Sequence, residues 1–82
     1  MKLFLISQTQ NMDWDTYDSA VVAAPDEATA RQMNPYNGEL IEVWDEPYRT
    51  WCSGPEHVMV QYIGEAAPDI GQYVVCASFN AG

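Results

Sequence analysis

Residues 16–35, TYDSAVVAAPDEATARQMNP, read as a strand that turns directly into a helix. Tyr17, Ala20, Val21, Val22 and Ala23 form a short apolar run with aromatic and β-branched members, which suits a central strand. Pro25 fits the first helical position, where its missing N–H costs nothing. Asp26 and Glu27 then fall in the first turn, where negative charge complements the helix dipole. Ala28, Ala30, Arg31, Gln32 and Met33 are good helix formers, and Asn34-Pro35 stops the run because a residue before proline is pushed out of the α region. A helix over residues 25–33 is too short to stand alone in water. Ala24, Ala28 and Met33 are therefore expected to face the sheet, with the alanines allowing close approach.

Outward from this unit, residues 2–9 (KLFLISQT) read as a first strand. Leu3 and Leu5 point to one face, Phe4 and Ile6 to the other. Apolar residues on both faces imply a strand covered on both sides, or one covered by a partner. The polar stretch 8–15 connects it to the second strand, and the two are expected to be antiparallel neighbours. On the C-terminal side, Asn37-Gly38 marks a turn. Residues 39–46 (ELIEVWDE) fit a short helix or an irregular segment ended by Pro47. Pro55, Glu56 and His57 suit one helical turn. Residues 58–65 (VMVQYIGE) and 72–80 (QYVVCASFN) read as third and fourth strands, joined by a hairpin loop at Pro68, Asp69 and Gly71. In the fourth, Tyr73, Val75, Ala77 and Phe79 are expected on one face, and Val74, Cys76 and Ser78 on the other. The order β-β-α-β-β predicts a small α+β domain, an antiparallel sheet with one helix packed on a face. Eighty-two residues make one domain, 1–82.

Charge is the unusual property of the chain. Twelve acids face three bases, Lys2, Arg31 and Arg49, for a net charge of −9. Such a surface repels nucleic acid and anionic membranes and attracts basic proteins. No apolar run approaches the roughly 20 residues that a membrane span needs. Residues 1–6 lack the basic region and cleavage site of a signal peptide, so a cytosolic location is expected. In that compartment Cys52 and Cys76 are expected as two free thiols.

The usual chemical motifs are missing. Asp13, Asp15 and Asp18 lie close together, but an EF-hand loop counted from Asp13 needs glycine and glutamate where Asp18 and Ala24 stand. Cys52, His57 and Cys76 match no zinc-ligand spacing and fall short of four ligands. No glycine-rich phosphate loop is present. The expectation is a non-enzymatic chain with no cofactor and no metal.

The acids are unevenly placed. Asp13, Asp15, Asp18, Asp26, Glu27, Glu39, Glu42, Asp45 and Glu46, nine of the twelve, precede Pro47. Asp13 and Asp15 flank Trp14, and Glu39, Glu42, Asp45 and Glu46 flank Trp44. An aromatic anchor with charged neighbours has the character of an interface hot spot. Gathered on one surface, these acids imitate the phosphates of DNA, which carry one charge per roughly 1.7 Å of duplex axis. The candidate partner-binding residues are Asp13, Trp14, Asp15, Asp18, Glu39, Glu42, Trp44, Asp45 and Glu46.

Four stretches, KLFLISQTQN, DTYDSAVVAAPDEATAR, WCSGPEHVMVQYIGEA and VVCASFNAG, together resemble a group of small acidic phage and prophage proteins. The resemblance leaves out residues 36–50. Proteins of this size and charge from phages include inhibitors of host defence, among them anti-CRISPR proteins and DNA mimics. The resemblance thus implies an inhibitor, monomeric or weakly homodimeric, acting in the cytoplasm of an infected bacterium. Its target would be a basic, nucleic-acid-binding complex, most plausibly a CRISPR surveillance complex, with target DNA excluded from its channel. The alternative is a small phage accessory or interaction module without a defence role, self-associating through an open strand edge.

Overall fold

The computed structural model describes residues 1–81. Four strands, β1 (Lys2–Ser7), β2 (Thr16–Ala24), β3 (Met59–Glu65) and β4 (Tyr73–Asn80), form one antiparallel sheet in the order β3-β1-β2-β4. The helix α1 (Glu27–Arg31) follows β2, and one 3-10 turn (Pro55–His57) leads into β3. This is the expected α+β architecture.

β1 and β2 pair in unbroken register, from Lys2 opposite Ala24 to Ser7 opposite Ser19. One sheet face packs on α1 and on the long return 34–54. Phe4, Ile6, Ala20, Val22 and Ala24 come from the sheet, Ala30 and Met33 from the helix and its exit, Trp51 and Cys52 from the return, and Val58 from the end of the 3-10 turn. Burying Ile6, Val22 or Met33 fully stabilises the fold by about 1.5–3 kcal/mol each. The alanines on both sides of the contact let helix and sheet approach closely.

The helix is shorter than its sequence suggests. Pro25 lies outside it. Asp26 is the N-cap, in extended backbone, and its Oδ1 accepts from the Thr29 amide at 2.8 Å. That bond satisfies a donor which Pro25 at the first helical position would have left to water. Hydrogen bonds from Thr29, through its side chain first and its amide second, hold the Asp26 carboxyl below the usual carboxylate range. The later start turns the helix, so Ala28 is exposed and Ala30 is buried. Gln32 ends the helix, and Met33 bridges to Leu40, so the chain departs before Asn34-Pro35. Arg31 donates to the carbonyls of Val58 and, at 3.4 Å, Pro55, which ties α1 to the entry of β3.

The expected hairpin between the last two strands does not form. β3 pairs with β1 and β4 with β2, on opposite edges, and residues 66–72 cross the end of the sheet between them. Turn residues mark a reversal but not the distance it spans. Three strand spacings of about 4.8 Å are within reach of this connection. β4 is also bulged at Val75. Val74 therefore lies opposite Val22 on the covered side, with Ala77 opposite Ala20, while Cys76 lies opposite Val21 on the other. Strict alternation had put Val74 and Cys76 on one face.

Candidate partner-binding surface

The connection 8–15 is fixed by a buried glutamine. Gln8 donates through Nε2 to the carbonyls of Asn11 (2.8 Å) and Tyr17 (2.9 Å), and its Oε1 accepts from the Asn11 amide at 2.7 Å. Asn11 donates in turn to the Trp51 carbonyl at 2.9 Å, and Gln10 exchanges two hydrogen bonds with Ser53. Beyond this clamp the tip is pinned from both sides. Thr16 Oγ1 donates to the Asp13 carbonyl at 2.6 Å, Asn80 Nδ2 donates to the same oxygen at 3.2 Å, and the Asp15 amide donates to the Asn80 carbonyl. Asp15 has φ 60, a left-handed conformation that aspartate tolerates better than most residues. The result holds Asp13 and Asp15 exposed on either side of Trp14, whose ring is 70% exposed.

The second group of acids stands on the irregular stretch after α1, which is not helical. Asn34 and Asn37 organise its turn: their Oδ1 atoms accept from the amides of Tyr36 (2.9 Å) and Glu39 (3.0 Å). Gly38 sits at φ 79, where a side chain would be strained. The Ile41 amide then donates to the Gln32 carbonyl, which returns the strand-like end of the turn to the helix. Ile41 and Trp44 pack on the core, while Glu39, Glu42, Asp45 and Glu46 are exposed. Trp44 is thus half-buried scaffold, and Trp14 is the freely presented ring.

The two groups meet through adjoining depressions. An open cleft of about 440 Å³ is lined by Asp13, Trp14, Asp15, Tyr48 and Arg49. A second, of about 330 Å³, is lined by Glu39, Glu42, Val43 and Glu46. A small gap between them has Arg49 and Glu46 in its wall, so each end shares a residue with one cleft. The two acid-lined clefts therefore adjoin. Arg49 lines the first cleft and the gap, and pairs with Asp45 at 3.2 Å. Arg31 pairs with Glu27 on the helix, away from these clefts. Among the described residues, Asp13, Glu39, Glu42 and Glu46 have no ion pair.

Asp18 stands apart. It is half-buried at a bulge in β2, its carboxylate accepts from Ser19 Oγ at 3.2 Å, and it lines none of these clefts. Arg49 and Tyr48 were not singled out by sequence. The spacing of Asp45 and Arg49, four apart, was the available signal for the pair. Tyr48, 99% exposed at φ 61, gave none.

Cys52 and Cys76 are free thiols, the first buried and the second exposed. Burial pushes the Cys52 thiol up, and it donates to the Gly54 carbonyl at 3.4 Å. His57 faces Glu56 at 3.6 Å. Among the described residues no three histidine, cysteine or carboxylate side chains come together as a metal site, and no helix is long and apolar enough to cross a membrane. Comparison of the chain with protein families, curated proteins and solved structures gives no match.

Proposed function

We propose that this chain is a non-enzymatic inhibitor whose acidic side binds a basic nucleic-acid-binding complex and keeps target DNA out of its channel. The exposed carboxylates that line the adjoining clefts, from Asp13 to Glu46 with Arg49 as the one cation among them, support the reading. Carboxylates fixed in adjoining clefts give a basic channel what a phosphate backbone gives it: closely spaced negative charge with counterions to release. Trp14 adds an apolar anchor in the first cleft. The resemblance to small acidic phage proteins directs the search toward CRISPR surveillance complexes in the cytoplasm of an infected bacterium. The alternative, an accessory interaction module, keeps the binding surface and drops the defence target.

The test is competition. A purified surveillance complex is titrated with the protein, and target-DNA binding is followed by mobility shift at several salt concentrations. Displacement of DNA that weakens as salt rises supports the proposal. The triple variant Glu39→Lys, Glu42→Lys, Glu46→Lys should lose displacement by more than tenfold while its circular dichroism is unchanged. Displacement that survives both charge reversal and high salt removes the electrostatic mechanism.

A further inference from the structure

The sheet has a second face, on which neither α1 nor the return 34–54 packs; it is closed only at one end, where Ala23, between Leu3 and Tyr73, is fully buried. α1 and the return 34–54 both pack on the side of Phe4 and Ile6. The residues that alternate to the other side include Leu3, Leu5 and Val21 on the central strands and Met59 and Tyr73 on the edges, while Ile63 stands in a bulge of β3 between Tyr62, opposite Phe4, and Gly64, opposite Leu3. Met59 and Tyr73 are 53% and 42% exposed. The remainder of this side is serine, alanine, glutamine and Cys76, and no regularly alternating strand residue brings a charge to it. Lys2 alternates to the covered side. Glu65 accepts from the Tyr62 hydroxyl at 2.6 Å, and Tyr62 stacks edge-on against Phe4, also on the covered side. Asp18 sits in its bulge at the margin.

We infer that this bare face is the interface of a homodimer, in which two copies pack sheet on sheet. Charge selects the occupant. Two chains of net charge −9 repel wherever their acids approach, and a face without charge lets them meet with the acids turned outward. A basic partner is drawn instead to the carboxylate-lined clefts. A two-fold axis needs one self-complementary patch, and an apolar sheet face supplies it. The area agrees with a weak association. Four strands about 4.8 Å apart and about seven residues long give a footprint of roughly 440 Å² per copy. With side-chain relief, both copies together bury on the order of 1,000–1,200 Å², the lower end for specific interfaces. The inference does not depend on the proposed inhibition, which uses another surface.

Sedimentation equilibrium of the full chain over a concentration series tests it. A monomer–dimer equilibrium is expected, and its dissociation constant should fall several-fold as salt rises, because salt screens the repulsion between acidic copies. That trend is opposite to the one expected for capture of a basic complex. Met59→Glu and Tyr73→Glu, each at an exposed edge position, should weaken the dimer at least tenfold with unchanged circular dichroism. Glu42→Lys should leave it intact or tighten it. Alkylation of Cys76 should slow as protein concentration rises. A monomer at every concentration and salt overturns the inference. So does a dimer that ignores both glutamate variants with Cys76 reacting at a constant rate, which would place the contact on a strand edge. A dimer weakened by salt overturns it as well.

Discussion

The two faces of the sheet are made by the same strands and differ in what the chain brings back to them. On one side Phe4, Ile6, Ala20 and Val22 meet Ala30, Met33, Trp51 and Cys52. On the other, Leu3, Leu5 and Val21, one residue along in each case, meet no second layer. Apolar character is therefore not what decides burial. The covered face has small residues where the helix must approach and a return segment with two tryptophans to close over it. The other face has large side chains at its edges, and neither α1 nor the 34–54 segment returns to it. The first stabilises the monomer, and the second is the surface assigned above to a second copy.

The largest expected difference is in the core. Ile6→Ala should cost about 2–4 kcal/mol in urea denaturation, because Ile6 is fully buried and its removal leaves a cavity. Met59→Ala, on the bare face, should shift the monomer by less than about 0.5 kcal/mol, measured at a concentration too low for association. Equal losses would mean that the bare face is already covered within one chain. Next comes Gln8→Ala, expected to cost about 1–3 kcal/mol, since it strips partners from the Asn11 amide and the Tyr17 carbonyl in a closed site. Its effect should extend to the acidic tip, with faster hydrogen exchange at Asp15. An unchanged tip would show that Thr16 and Asn80 hold it without the clamp.

The smallest effect belongs to the helix that makes the two faces unequal. Asp26→Ala should lower the melting temperature modestly at pH 7. Hydrogen bonds from Thr29, through its side chain first and its amide second, hold the folded-state pKa of Asp26 below its unfolded value. Its stabilisation is therefore complete above the unfolded pKa and is lost as pH falls through the lowered folded one. The gap between wild type and Asp26→Ala should close in acid, whereas Asp26→Asn, which keeps a capping oxygen, should show little pH dependence.

The sheet and its covered face were legible because each strand carries its own apolar run, and the strand–helix unit at residues 16–35 has clear stop signals. Two apolar faces on the first strand, Leu3 and Leu5 against Phe4 and Ile6, called either for cover on both sides or for a partner, and the strand alone did not choose between them. Pro25 misled because proline and aspartate both suit a helix start, and only the Asp26–Thr29 bond ranks them. The crossover was hidden because Pro68, Asp69 and Gly71 specify a bend and say nothing about which edge receives the next strand. The acids were visible as a count, but the adjoining of the clefts they line was not. It rests on Gly38, the Asn34 and Asn37 turns and the Asn11 clamp, which fold an irregular segment that has no periodicity to read.

The separation of β3 and β4 fixes an order of events in folding. The contacts between β1 and β2 are local, and α1 lies next to them in sequence, whereas β4 must find β2 from 50 to 64 residues away (Ala23 to Tyr73, Thr16 to Asn80). Until it arrives, Val21 and Val22 lie on an open strand edge of the kind that templates aggregation. Pulse-labelled refolding should protect the amides shared by β1 and β2 before those shared by β2 and β4. A substitution that slows the 66–72 crossover should then lengthen the life of the open-edged intermediate and lower the yield of soluble protein, while leaving the finished fold as stable as before.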